Sequence, residues 1–298
     1  MKRITLLLAA LIVASPAMAA APDCSWSANP PTTPINFGIL PTAGNATGTS
    51  AFIIRCRPSS PTTTVGINRG QNALTFFPRY MKLTTGTDLL PYNLFSDAAA
   101  TFVWGDTTSG GTVTFINPSS GAKNFPGTIY GVVPGAADVT AGIYEDNLTV
   151  TNSSGPGFIE TAPLRVVVTV LADCTVSAFT LDFGSYDPID VNAVTARDAD
   201  AGMDVYCTKG TFARISLDNG TNYLAPSRRM LAPSGDLVNY QLYTSSARTT
   251  IWDTTNTVAL TSTSKNVSMG FRIWGSIPAA QNVGVGAYAD TIRATVVY

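Results

Sequence analysis

Short runs in which apolar and polar residues alternate, broken by Gly, Pro, Asn, Asp and Ser, extend along nearly the whole chain. A period of two predicts β-strands, because successive side chains of a strand point to opposite faces. In the first half the runs lie at 51–57, 63–68, 91–96, 112–116, 127–133, 143–151 and 163–171. The run 143–151 puts Tyr144, Leu148 and Val150 on one face, turns at NSSGPG, and returns with Leu164, Val166, Val168 and Val170 on one face. The segment RGQNALTFFPRYMKL has no clear period, so strand order between 60 and 110 stays open. Seven or so short strands predict an all-β, immunoglobulin-like sandwich whose alternate residues fill the space between two sheets. Trp104, Trp252, Tyr144 and Tyr288 are then expected in cores.

The pattern occurs twice. GIYEDNLTV begins at Gly142 and GAYADTIRATVVY at Gly286, an offset of 144; Tyr92–Trp104 likewise matches Tyr240–Trp252, and Phe37-Gly38 matches Phe183-Gly184. The division expected is a signal peptide over 1–19, a first domain over 20–171 and a second over 172–298. In the second copy Tyr288, Ile292, Ala294, Val296 and Tyr298 form the face that Tyr144 opens in the first, but no return strand follows. The expectation is two tandem immunoglobulin-like β-sandwich domains, the second lacking its last strand. Such a gap exposes a row of backbone donors and acceptors and an apolar groove, an aggregation hazard. Either the second domain closes by a different topology, or another polypeptide supplies the strand by β-augmentation.

Composition narrows the function classes. Lys2 and Arg3, the apolar run Ile4–Val13 and the small residues of Ala17-Met18-Ala19 read as a secretory signal cleaved after Ala19, and no later segment reaches 18 apolar residues. Charged residues make up 12%, far below the usual ~25%. Without Lys2 and Arg3 the balance is 16 basic against 19 acidic groups with no basic cluster, which speaks against nucleic acid. Cys24 and Cys56 are 32 positions apart and Cys174 and Cys207 are 33 apart, a repeated spacing that in an exported chain predicts two local disulfides. Zinc is the rival reading of four cysteines, with no histidine and no Cys-x-x-Cys to support it.

The same absence of histidine removes Ser-His-Asp and Cys-His catalysis, and Gly-x-Ser-x-Gly does not occur. Five aspartates lie in DPIDVNAVTARDADAGMD over 187–204, a loop-like stretch suited to turns, with a calcium site as the competing reading. No enzyme, cofactor or assigned metal is expected.

The cysteine spacing, the Phe-Gly after the first cysteine and the Gly-x-Tyr-x-Asp ending together resemble the spore coat protein U family, the pilin domains of archaic chaperone-usher pili, over nearly the whole mature chain. The resemblance implies a two-domain tip adhesin whose second domain takes up a donor strand in a groove floored by Tyr288, Ile292, Ala294, Val296 and Tyr298. Implied partners are a periplasmic chaperone, an outer-membrane usher, the next pilin subunit's N-terminal donor strand, and an abiotic or host surface. The four residues 20–23 left before Cys24 are too few to act as a donor strand, so the expected place is a fibre end at the cell surface.

Because 164–171 runs into the second domain, the hairpin Asn152–Thr161 is expected at the opposite pole, with Phe158 and Ile159 exposed for hydrophobic attachment and biofilm initiation. Phe125 joins them if 127–133 runs toward the linker, and Phe76 and Phe77 are the next candidates. The competing reading folds Phe158 and Ile159 back over the sandwich's open end. The alternative function is a secreted, self-contained carbohydrate-binding or coat module.

Overall fold

The computed structural model describes residues 24–298 apart from Ala28, 58–61, 109–110, Ser119, Ala136 and 155–157. The expected signal peptide, residues 20–23 and the tip of the NSSGPG turn lie outside the described residues. The first half contains β1 (Cys24–Trp26), β2 (Ile35–Ile39), β3 (Asn45–Cys56), β4 (Thr62–Ile67), β5 (Arg79–Leu83), β6 (Leu89–Phe95), β7 (Val113–Ile116), β8 (Lys123–Pro134), β9 (Gly142–Ser154) and β10 (Phe158–Val170). One sheet runs β1-β3-β8-β6; the other sets β10 between β9 and β2, with β4 and β5 end to end along the far edge of β9 and β7 outside β4. The β5–β6 hairpin joins the two sheets. All pairings are antiparallel except that of β10 with β2, which is parallel.

Three expectations change. β9 reaches Ser154 and β10 starts at Phe158, so most of the hairpin 152–161 is ladder rather than loop. The undecided segment holds the edge of the second sheet: β4 and β5 there are short and split by an irregular stretch that hydrogen-bonds to β9, which hides any regular period. β2 went unseen because a single positive-φ glycine, Gly38, interrupts its apolar pattern.

The second half contains β11 (Cys174–Val176), β12 (Arg197–Met203), β13 (Val205–Cys207), β14 (Phe212–Leu217), β15 (Arg228–Leu231), β16 (Leu237–Tyr243), β17 (Val258–Thr261), β18 (Phe271–Ile277) and β19 (Ala294–Val297). β12-β18-β16-β15 form one sheet and β17-β14-β19 the other. The register repeats: Ile215 faces Val296 as Val65 faces Asn152. Arg197–Met203 is strand, not loop, so Asp198 and Asp200 of the acidic stretch project from one strand face. Asp198 pairs with Arg248 at 3.2 Å, Asp200 pairs with Arg272, and Asp187 accepts the N–H groups of Ile189 and Asp190 within its turn.

Buried side chains form one apolar cluster in each sandwich, and Trp104 and Trp252 lie at the centre of each at 1% and 0% exposure. Each Trp indole donates to a facing strand carbonyl, Val65 at 2.9 Å and Ile215 at 3.0 Å. The main-chain oxygen of each Trp accepts from a buried arginine, Arg79 or Arg228, whose Nε reaches Asn68 O or Asp218 O at 3.0 Å. Burial pushes the Arg79 guanidinium down to about 10, still charged at neutral pH, against attraction from Tyr92 and Asp146. Tyr92 and Tyr240 donate at 2.7 Å to the aspartate of each Gly-x-Tyr-x-Asp motif, Asp146 and Asp290. Each tyrosine of that motif donates to the carbonyl four residues earlier, Tyr144 to Thr140 at 2.8 Å and Tyr288 to Gly284 at 2.9 Å, a tyrosine corner. The repeated sequence thus encodes a repeated polar pin between the sheets.

Both expected disulfides are present, Cys24–Cys56 and Cys174–Cys207, each joining directly facing residues of neighbouring strands. In the chain-entropy description each adds about 3.5–4 kcal/mol. β10 leads through residues 171–173 into Cys174. Across this joint Lys209 Nζ meets Asp88 Oδ2 at 2.9 Å, Ala141 N–H donates to Lys209 O at 3.2 Å, and Lys265 N–H donates to Asp138 Oδ1 at 2.9 Å.

Two outcomes are expected. Gly220 has φ +78°, and a Cβ there would stand 2.0 Å from Asp290 Oδ2, whereas one at Gly202 meets nothing within 4 Å. Gly220→Ala is therefore expected to cost about 2 kcal/mol or more in urea unfolding, with Gly202→Ala nearly silent; equal effects would refute the pin. Asp88 is held at about 2, mainly by the hydrogen bond from Lys209 and then by Thr140, against an ordinary carboxylate value of 3.8. A depressed carboxylate stabilises the joint above 3.8 and loses that contribution as pH falls toward 2. Acid loosening of the joint in that window, measured by small-angle scattering, is expected to vanish in Lys209→Met.

Candidate functional site

In the first sandwich the place between β9 and β2 is filled. β10 buries Ala162, Leu164, Val166, Val168 and Val170 at 3%, 1%, 0%, 0% and 9% exposure, and pairs with β9 from Phe158↔Ser154 to Val170↔Gly142. In the second sandwich the same two borders exist. Asp182 Oδ1 accepts Gly184 N–H at 2.7 Å just as Asn36 Oδ1 accepts Gly38 N–H at 2.8 Å, so the segment around Leu181–Phe183 stands where β2 stands. Residues 287–298 stand where β9 stands, bonded to β14 over 294–297 and to Leu231 of β15 at Ala289 on one side and, among the described residues, to no strand on the other.

Between these borders run two adjoining clefts of about 750 and 470 Å³ that share Leu181, Asp182, Phe183, Met230 and Tyr288. Together they form a groove from Ile189 and Val285 at one end to Thr291 and Ile292 at the other.

The groove floor shows what is missing. Tyr144, Leu148 and Val150 are buried at 0%, 3% and 0%, while their counterparts Tyr288, Ile292 and Ala294 are only partly buried against the second core, with Val296. Full burial of a large apolar side chain contributes roughly 1.5–3 kcal/mol, so an added strand with several such residues gains on both its own side chains and the floor. The floor is held without that strand. Tyr288 keeps its corner bond, and Asp290 accepts from Tyr240 at 2.7 Å and from Thr221 N–H at 2.9 Å. Burial, reinforced by Asp290, pushes the Tyr240 hydroxyl well above its ordinary value, so it remains a donor. The groove is therefore preformed.

Tyr298 stands apart from the other four expected floor residues: it is 54% exposed and its hydroxyl meets Asp173 Oδ1 at 3.2 Å, at the joint with the first sandwich. Leu181, Phe183 and Met230 are floor and wall residues that the alternating pattern did not single out. The signal was the Phe-Gly repeat, whose phenylalanine lies under the groove.

The pole opposite the joint gathers Cys24, Cys56, Lys123, Ile116 and the ends of β9 and β10. Phe158 and Ile159 are at this pole but diverge. Ile159 is 66% exposed; Phe158 is half-buried on the strand face that carries Ala162 and Leu164 inward. Phe125 reaches the pole as a residue of β8, half-buried with its ring 6.4 Å from Phe115 and Lys123 above it. Ile116, 56% exposed, lies at the same pole on β7, three strands from β10, and was not anticipated. Phe76 and Phe77 lie on the flank beside residues 146–149 of β9, Phe76 stacked 5.2 Å from the Arg79 guanidinium and Phe77 69% exposed. The five aromatic and aliphatic candidates are thus not one surface. No group of three or more His, Cys, Asp or Glu side chains able to hold a metal gathers among the described residues.

A family model for the Spore Coat Protein U domain matches residues 8–151 and again 160–295. Protein U of Myxococcus xanthus is 32% identical over 151 residues, 46% of this chain and 84% of that protein. Among solved structures, a chain of the CsuC–CsuE chaperone-tip adhesion subunit pre-assembly complex, from the archaic chaperone-usher Csu pili of Acinetobacter baumannii, is similar with a TM-score of 0.50 at 14% identity. The likeness covers 92% of this chain and 100% of that one. The CupB6 tip adhesin from Pseudomonas aeruginosa gives a TM-score of 0.41 at 12% identity, over 93% and 95%. At 14% identity the first of these likenesses speaks to the fold alone.

A synthetic peptide with the sequence of residues 158–171, added to the full chain, is expected to raise the thermal midpoint and to slow amide exchange over 179–185 and 287–298 but not over 35–39. A scrambled peptide is expected to do neither. Equal effects of the two peptides, or protection elsewhere only, would show that the groove does not take a strand.

Proposed function

The chain belongs to the Spore Coat Protein U domain family, and on that premise we propose that it is the tip adhesin subunit of a chaperone-usher pilus. The single observation that carries the reading is the contrast between Tyr144, Leu148 and Val150, closed under β10, and Tyr288, Ile292 and Ala294, left open along a preformed groove. In this reading the next pilin subunit's N-terminal donor strand fills the groove, a periplasmic chaperone covers it before assembly, and an outer-membrane usher passes the subunit to the cell surface. The order of the two sandwiches supports a terminal position: the groove of the first is closed by its own β10, and its far pole lies away from the joint. Attachment is through that pole, where Ile159 and Ile116 expose apolar area suited to abiotic or host surfaces and to biofilm initiation.

The likeness over most of the chain to a structure named as a chaperone-tip adhesion subunit complex adds support for the chaperone as partner.

Two variants of the full chain, expressed with its native assembly genes, test the reading. Ile292→Arg is expected to reduce incorporation into fibres at least tenfold while fluorescence of the buried tryptophans stays native. Ile159→Ser with Ile116→Ser is expected to leave fibre number unchanged and to reduce attachment to polystyrene severalfold. Normal fibres from Ile292→Arg would remove the groove from assembly, and unaltered attachment of the second variant would move the adhesive site, first to the flank at Phe77.

A further inference from the structure

The joint between the two sandwiches is a covalent instance of what the groove lacks. β10 fills the first sandwich running antiparallel to β9, ends beside Gly142, and only residues 171–173 separate its last residue from Cys174 of the next folded unit. Three residues span about 10 Å at most, so the second sandwich must sit against the end face of the first. It does so through Asp88, Asp138 and Ala141 on one side and Lys209 and Lys265 on the other.

A strand entering the groove in the same sense would leave it at the Val285 end. The end face it meets there has a different chemistry. At the repeat offset Asn282 replaces Asp138 and Val285 replaces Ala141. Gly184 and Cys207 are 23 positions apart where Gly38 and Cys56 are 18, and the longer stretch carries Ile189, Val191 and Val194. These side chains are 91%, 57% and 85% exposed, and Val285 is fully so. Ile189 and Val285 also line the wider cleft, from opposite sides of its mouth. The stretch is firmly placed: Asn192 Nδ2 donates to Thr195 O at 3.0 Å, Asn192 O accepts Ala280 N–H at 2.9 Å, and Tyr186 Oη donates to Pro278 O at 2.8 Å.

We propose that this apolar end face, centred on Ile189 and Val285 with Val191 and Val194 on the same stretch, is the seat for the folded body of the subunit whose strand fills the groove. The inference rests on the strand-acceptor reading of the groove and goes beyond it. The partner contacts the acceptor twice, through its strand and through an apolar surface beside its first folded strand, where the joint within this chain uses charge.

The test uses the full chain in its native assembly system, with the photoreactive residue p-benzoylphenylalanine placed either at position 292 in the groove or at position 285 on the end face. Mass spectrometry of the crosslinked fibres is expected to find the groove probe joined to an extended N-terminal segment of a subunit. The end-face probe is expected to be joined to the folded part of that same subunit, and Ile189→Ser is expected to lower the second crosslink at least fivefold without changing the first. Crosslinks from position 285 only to a second copy of this chain, or none while position 292 still reacts, would overturn the end-face seat alone. Loss of both crosslinks would overturn the groove reading together with it.

Discussion

A β-sandwich is closed only when the strands at the borders of its sheets have somewhere to send their backbone donors and acceptors and their inward side chains. In the first sandwich that condition is met by β10, which hydrogen-bonds β9 along its whole length and β2 along its other edge. Two features near it follow: the full burial of Tyr144 and Leu148, and the short passage through 171–173 into Cys174. In the second sandwich the same borders stand with nothing between them among the described residues, and the floor side chains stay half-open. The two halves therefore act as a built-in comparison, one sequence pattern with and without its closing strand.

An open groove persists only if its borders hold their shape unassisted, since apolar walls tend to collapse on each other. The repeated polar pin meets that need. Arg228 bonds to Trp252 O and Asp218 O, Asp218 accepts Arg293 N–H at 3.0 Å, and Asp290 ties Tyr240 to Thr221. A buried arginine is costly unless its donors are satisfied, and here main-chain carbonyls and the Gln241 side-chain oxygen satisfy them. The second core is smaller than the first, so a larger share of its order depends on such directional bonds.

Much of this was legible in the chain. The Cys spacing gave both disulfides, the Gly-x-Tyr-x-Asp repeat marked the matching segments of the two halves though not their tyrosine corners, and alternation gave the inward faces of β9 and β10. The buried arginines were not legible, because Arg79 and Arg228 lie in short strands with no periodic pattern and arginine is ordinarily a surface residue. The distal surface was only half legible: alternation puts Ile159 outward and Phe158 inward, yet this holds only if the ladder reaches Phe158, and the Gly-Pro-Gly turn beside it suggested a loop. The acidic stretch misled for a related reason. Asp198 and Asp200 read as turn residues by composition, but each finds an arginine across a strand face, which tolerates the carboxylates in β12.

The passage of β10 into Cys174 has a mechanical consequence. A pull between the distal pole and the second sandwich acts along β10, parallel to the strand and perpendicular to its hydrogen bonds with β9. The ladder is thus loaded in shear, and its bonds resist together; peeling from one end would break them one at a time. Just past the joint the load enters Cys174, and the disulfide hands it to β13 in the interior of the next unit. Tension that enters the second sandwich through Cys174 is thereby divided between two strands.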